Sequence, residues 1–154
     1  MKWKKNRTFA VGKIITHLNR ILAIDYGLKR IGLAVSDPSQ TIAGGLTTVA
    51  PNEIFTFLKQ YTAQNPVEKF VVGLPKQMNG ADSQIVPQIR QFADTLKKHF
   101  PETEIVFFDE RFTSVLAQKA MLEGGLRQKM RRNKALIDKV SATIILKDYL
   151  ETKN

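Results

Sequence analysis

Apolar residues in the first half of the chain fall into short runs and helical repeats that predict strands and helices. The runs ILAI at 21–24 and IGLAV at 31–35 flank the turn sequence DYGLKR and predict a β-hairpin. A third strand within TIAGGLTTVA, at 41–50, would extend the hairpin to a meander. The segment NEIFTFLKQYTA repeats apolar residues at helical spacing, and KFVVGLP is apolar on both faces, as in a central strand covered by helices.

The second half of the chain continues this alternation. Residues 83–100 show helical spacing, and EIVFFD at 104–109 predicts another strand. A short helix is expected from about Thr113 or Ser114 to Glu123, where two glycines end it. A basic loop follows, and then a final helix over about 134–151.

A meander followed by helix–strand crossovers predicts an α/β fold. We expect a mixed five-stranded sheet, in which strands 1–3 are antiparallel, strands 4 and 5 are parallel, and helices cover both faces. Residues 20–152 are predicted to form a single domain. Residues 1–19 are interpreted as a basic N-terminal extension, whether ordered or disordered.

Composition narrows the class of protein. The 154 residues are 43% hydrophobic, enough for one core, and the absence of cysteine excludes a disulfide scaffold and thiolate metal sites. The sequence contains no uninterrupted apolar run long enough to cross a bilayer, and the N-terminal segment lacks the features of a secretory signal. We therefore expect a cytoplasmic protein with no membrane partner.

The net charge of +10 is concentrated in two segments. Residues 1–20 hold six basic side chains and no acid, and residues 127–134 hold five and no acid, so the remainder is close to neutral. Basic segments of this kind contact polyanions such as nucleic acid. The alternative is a solvated tail and a solvated loop.

Three acidic positions lie where a catalytic site would be expected. Asp25 ends the first predicted strand, and Asp109 and Glu110 end the last one, so carboxylates meet at the carboxyl ends of strands. Adjacent residues of a strand point to opposite faces, so at most one of Asp109 and Glu110 faces the same side as Asp25. The local alternatives are a turn stabilised by Asp25 and an ion pair with Arg111 or a helix cap at the second position.

The third position, Asp138, lies on the apolar final helix and shares a face with Ser141 and Ala142, whose small side chains permit close packing. Simple exposure near the helix start is the alternative. If the three acids converge, they need a cation, and carboxylate oxygens without histidine or cysteine select Mg²⁺ or Mn²⁺. Such a site suits hydrolysis of a phosphodiester.

Four blocks of sequence carry a family resemblance. IDYGLKRIGLAVSD, VVGLPKQMNG, FFDERFTS and NKALIDKVSATIILKDYLE resemble, in order, the motifs of the YqgF/RuvX family, whose members are described as pre-16S rRNA nucleases and were once proposed to be Holliday junction resolvases. The resemblance covers about residues 20–151 and implies an RNase H-like fold.

The resemblance also implies roles for particular residues. Asp25, Glu110 and Asp138 would form the catalytic and metal-binding set, with Asp109 in reserve. Gly27 and Gly32 would shape the hairpin. Substrate contacts are expected from the remaining polar positions of the motifs and the basic loop, which are Arg30, Asn79, Arg111, Arg127, Arg131 and Arg132. Arg30 would contact phosphate or hold an acid in place, and Arg111 would orient Glu110 or bind a phosphate.

One departure from the wider fold bears on this assignment. Better-characterised RNase H-like nucleases place an acid on the fourth strand, and FVVGLP has none. The leading hypothesis is a metal-dependent endonuclease that trims the 5′ end of precursor 16S rRNA, acting on structured RNA or a ribosomal particle as a monomer or homodimer. The alternatives are a Holliday junction resolvase acting on branched DNA and a non-catalytic nucleic-acid-binding factor.

Overall fold

The computed structural model describes residues 8–11, 14–17, 19–75, 83–110 and 134–153. Within these residues the chain forms strands β1 (Thr8–Val11), β2 (Ile14–His17), β3 (Arg20–Tyr26), β4 (Ile31–Ser36), β5 (Ala43–Val49), β6 (Val67–Leu74) and β7 (Glu104–Asp109). Its helices are α1 (Ile54–Gln64), preceded by a 3₁₀ turn at Pro51–Glu53, α2 (Val86–His99) and α3 (Lys134–Lys153). The short helix predicted near residues 113–123 and the basic loop lie outside the described residues.

The five strands from β3 to β7 form one mixed sheet in the order β5–β4–β3–β6–β7. Strand β4 pairs antiparallel with both β3 and β5, whereas β6 runs parallel to β3 and to β7. The predicted sheet is therefore confirmed, including its antiparallel meander and its two parallel strands. Strands β1 and β2 form a separate antiparallel pair within the basic N-terminal segment.

Alternation along β3 divides the core into two layers. Leu22 and Ile24 point into an apolar cluster with α1 and α2, while Ile21 and Ala23 point into a second cluster with α3. All four side chains are completely buried. Because successive residues of a strand face opposite sides, Asp25 continues the series on the α3 face.

Strands β4 and β5 are joined by a loop that Asp37 stabilises. Its Oδ1 accepts hydrogen bonds from the backbone N–H groups of Thr41 and Ile42, both at 2.7 Å, and its Oδ2 accepts from the hydroxyls of Ser39 and Thr41. Burial raises the pKa of Asp37, but these hydrogen bonds outweigh it and hold the pKa well below its usual value of 3.8. This acid therefore has a structural role.

In the part of the chain that the structure describes, no helix combines the length and apolar character needed to cross a bilayer.

Candidate active site

Asp25 lies between two glycines on the neighbouring strands. It pairs with Gly32 of β4, and the register of β3 with β6, in which Ile24 opposes Val72, places Gly73 level with it on the other side. Strands are about 4.8 Å apart, so the two glycines are separated by roughly 10 Å with the carboxylate between them. Neither neighbouring strand therefore places a side chain of its own beside Asp25.

Gly32 brings α3 onto the sheet beside Asp25. A Cβ atom built at Gly32 would overlap the backbone carbonyl of Asp138 and would lie 3.1 Å from its Cβ. The helix can come this close only because position 32 has no side chain. Gly27 lies in the turn of the hairpin, where a Cβ would be 2.5 Å from the Arg30 carbonyl oxygen, and Gly32 lies in its second strand, where it is also a contact point for α3.

Gly73 provides the space into which Glu110 reaches. A Cβ built at Gly73 would lie 3.1 Å from Oε1 of Glu110 and 2.7 Å from Cδ1 of Ile145 on α3. Glu110 follows the end of β7 and is 1% exposed, so its carboxylate is buried between β6 and α3. It therefore lies on the same face of the sheet as Asp25 and Asp138.

Asp109 faces the other way. Phe108 packs in the cluster with α3, while Ile105 packs in the cluster with α1 and α2, so the alternation of β7 directs Asp109 toward α1 and α2. Of the two adjacent acids, Glu110 is the one on the face of Asp25.

Arg30 holds the third acid. Its Nε donates to Oδ2 of Asp138 at 2.9 Å, which joins the β3–β4 hairpin to a helix 108 residues further along the chain. The Arg30 side chain is 36% exposed and that of Asp138 is 22% exposed, so the ion pair lies at the rim of the site. Hydrogen bonds between charged groups are shorter and stronger than neutral ones, so this contact fixes the direction of the carboxylate.

The donor chemistry of this face suits a hard divalent cation, but the described acids do not form a cluster of ligands. Carboxylate oxygens are the ligands that Mg²⁺ and Mn²⁺ take. Among the described residues, however, no three acidic or histidine side chains are close enough together to hold an ion. One of the candidate ligands, Asp138, is already bonded to Arg30.

The remaining residues predicted to contact substrate cannot be placed. Asn79, Arg111, Arg127, Arg131 and Arg132 all lie outside the described residues. The resemblance implies that Gly73 belongs to the loop after the central strand, beside the cleft, whereas the structure places it within β6, where its contact with Glu110 was not predicted. The signal was a glycine in an otherwise apolar central strand, which often marks a close approach of other groups.

Comparison with known proteins identifies the family. The family model described as "RuvX: Holliday junction resolvase" matches residues 19–152. The chain belongs to the RuvX family. The resemblance found in the four sequence blocks is therefore confirmed.

Curated relatives of this RuvX family member match it over nearly their whole length. A Bacteroides thetaiotaomicron protein named "Putative pre-16S rRNA nuclease" is 56% identical over 136 residues, which cover 88% of this chain and 99% of the relative. A Flavobacterium psychrophilum protein of the same name is 51% identical over 134 residues, covering 87% and 98% of the two chains.

Solved structures show the fold of this family member. Thermus thermophilus RuvC in complex with a Holliday junction substrate matches with a TM-score of 0.52 and 16% identity, covering 88% of this chain and 95% of RuvC. A second T. thermophilus RuvC structure matches with a TM-score of 0.50 and 13% identity, covering 87% of this chain and 95% of that one. The RNase H-like fold expected from the resemblance is confirmed.

Proposed function

We propose that this protein is an endonuclease that hydrolyses phosphodiester bonds of precursor 16S rRNA during maturation of its 5′ end. The observation that carries the proposal is the position of Asp25, Glu110 and Asp138 on one face of an RNase H-like sheet. The relatives named as pre-16S rRNA nucleases, at 50% identity and above, supply the substrate class. Residues 20–152 form the nuclease domain, and residues 1–19 are a basic extension.

The proposed site combines acids with a basic surround. Asp25, Glu110 and Asp138 are the catalytic residues, and Mg²⁺ or Mn²⁺ is the cofactor whose hard-ligand preference their oxygens match. The phosphates are contacted by the side-chain amide of Asn79 and by five arginines, which are Arg30, Arg111, Arg127, Arg131 and Arg132. Arginine suits this role because its planar fork of N–H donors matches the oxygens of a phosphate.

The setting follows from this substrate. A protein that processes precursor 16S rRNA works in the cytoplasm. It acts there on structured RNA or on a ribosomal particle. A net charge of +10 favours such a polyanion, because neutralising phosphates releases bound counterions. The protein acts as a monomer or homodimer.

A cleavage assay with two substrates tests the proposal. The full chain is incubated with Mg²⁺ or Mn²⁺ and either a 5′-extended precursor 16S rRNA fragment or a four-way DNA junction. We expect site-specific cleavage of the RNA and a loss of at least about a hundredfold in rate for Asp25→Asn, the scale of removing one electrostatic group from an active site. Asp94→Asn, on the exposed side of α2, should leave the rate unchanged.

Three outcomes would contradict the proposal in different ways. Cleavage that survives Asp25→Asn would show that the acids are not catalytic. Cleavage of the junction alone would favour a resolvase, which should then act as a dimer because it cuts two paired strands. RNA binding without cleavage, equal in wild type and variant, would favour a non-catalytic binding factor.

A further inference from the structure

Arg30 places a positive charge against one of the candidate catalytic acids, at the rim of the site. It bonds Oδ2 of Asp138 at 2.9 Å, and the backbone of Asp138 lies against Gly32, which pairs with Asp25. The guanidinium therefore lies close enough to Asp138 to repel a metal ion bound by the same carboxylate. A guanidinium bonded to Oδ2 of Asp138 repels a second cation that approaches the same carboxylate and reduces the negative charge available to it.

We infer that Arg30 and a divalent cation compete for Asp138, and that a phosphate of the nucleic-acid substrate relieves this competition by drawing Arg30 away. The inference is motivated by a disagreement between the kind of ligands on this face and their positions. The acids share one face, yet within the described ranges no three potential ligands are grouped. One of these acids, Asp138, is bonded to Arg30. The metal site is then completed by substrate rather than preformed.

Phosphate is the ligand that Arg30 is equipped to exchange for Asp138. The contact with Asp138 uses Nε, one of five N–H donors of the guanidinium. The side chain is 36% exposed, so a phosphate can approach it without unfolding the hairpin. Arginine binds phosphate through two parallel hydrogen bonds, which a single carboxylate oxygen does not offer. This step rests on the proposed function, because it takes the substrate to be a nucleic acid.

The competition predicts a measurable change in metal affinity. When a binding-competent state is only partly populated, the apparent dissociation constant rises in proportion. Removing an ion pair of this partly exposed kind should therefore tighten binding of Mn²⁺ about fivefold in Arg30→Gln. Lys29→Gln removes the same charge from the exposed neighbouring residue and should change the affinity less than about twofold.

The first measurement uses Mn²⁺ alone. The EPR signal of the free ion is followed during titration of wild type, Arg30→Gln, Lys29→Gln and Asp138→Asn, each first shown by urea unfolding to be folded. We expect tighter binding in Arg30→Gln than in the other three proteins. The inference would be overturned if Arg30→Gln bound Mn²⁺ as tightly as wild type or more weakly. It would also be overturned if Lys29→Gln gained as much Mn²⁺ affinity as Arg30→Gln.

The second measurement adds a phosphorothioate-protected DNA oligonucleotide of precursor 16S rRNA sequence, with Mn²⁺ binding by the oligonucleotide alone subtracted. The oligonucleotide should tighten Mn²⁺ binding by wild type and by Lys29→Gln, but not by Arg30→Gln. Equal tightening in all three would overturn the role of phosphate. Because neither measurement depends on turnover, the inference can hold when no RNA is cleaved, and cleavage can occur when the inference fails.

Discussion

The contact between Gly32 and α3 can be tested with a single methyl group. In Gly32→Ala the new Cβ would overlap the carbonyl group of Asp138, which is helix backbone and cannot rotate away. The helix would have to retreat by about 1 Å, yet it is anchored by Ala142, Ile145 and Leu146, all completely buried. A gap of 0.5–1 Å already forfeits about a quarter to a half of the dispersion attraction between packed atoms.

The size of the effect follows from this geometry. Overpacking a core typically costs about 1–3 kcal/mol, and a clash with helix backbone belongs at the upper end, so we expect the free energy of unfolding of Gly32→Ala to fall by about 3 kcal/mol. With a urea m-value of about 2 kcal/mol/M, the unfolding midpoint should fall by about 1.5 M. Urea unfolding followed by circular dichroism measures this directly.

Gly44→Ala on the adjacent strand β5 is the matched control. A Cβ there meets only the Val35 carbonyl oxygen at 3.9 Å, an ordinary contact. Because glycine within a strand is about 0.5–1 kcal/mol less favourable than alanine, this variant should be neutral or slightly more stable. If Gly32→Ala unfolded at the same urea concentration as Gly44→Ala, the close approach of α3 to Gly32 would be refuted.

Two further variants test other parts of the structure. In Gly73→Ala the Cβ would meet the flexible end of the Ile145 side chain and the Glu110 carboxylate. We expect the free energy of unfolding in urea to fall by a modest amount, about 1–2 kcal/mol, and the rate of RNA cleavage to fall disproportionately. An unchanged cleavage rate would contradict this. The folded-state pKa of Asp37 lies below its usual 3.8, so its charge stabilises the fold above about pH 4 and that contribution is lost as pH falls through the folded-state pKa. Asp37→Asn should therefore lower stability by about 1 kcal/mol at pH 7, and the difference should narrow toward pH 3; a difference independent of pH would count against the hydrogen bonds to Asp37.

Elements with a strong pattern of apolar residues could be predicted from sequence. The spacing in NEIFTFLKQYTA and the run KFVVGLP predicted α1 and β6 to within two residues at each end, because helices and central strands must bury defined faces. The final helix extends to Lys153, two residues beyond its expected end, since helix ends are set by local capping rather than by the apolar pattern.

The arrangement of the site could be predicted only in part. The sequence placed Asp25, Glu110 and Asp138 at one end of the sheet but left open whether Asp109 or Glu110 faced Asp25, a choice that depends on the register of β7 with β6. The bond between Arg30 and Asp138 and the contact of Gly32 with α3 join segments more than a hundred residues apart, and no local pattern encodes them. Such contacts arise from packing in three dimensions.

The missing acid on β6, the fourth strand of the main sheet, is explained by the same geometry. An acidic side chain at Gly73 would need its Cβ in the space 3.1 Å from the Glu110 carboxylate and 2.7 Å from Ile145. An acid at position 73 would therefore crowd Ile145 and bring a second carboxylate against the buried Glu110. The Glu110 carboxylate, from the residue that follows β7, instead reaches back over Gly73, so a larger side chain at position 73 would disturb the packing of Glu110.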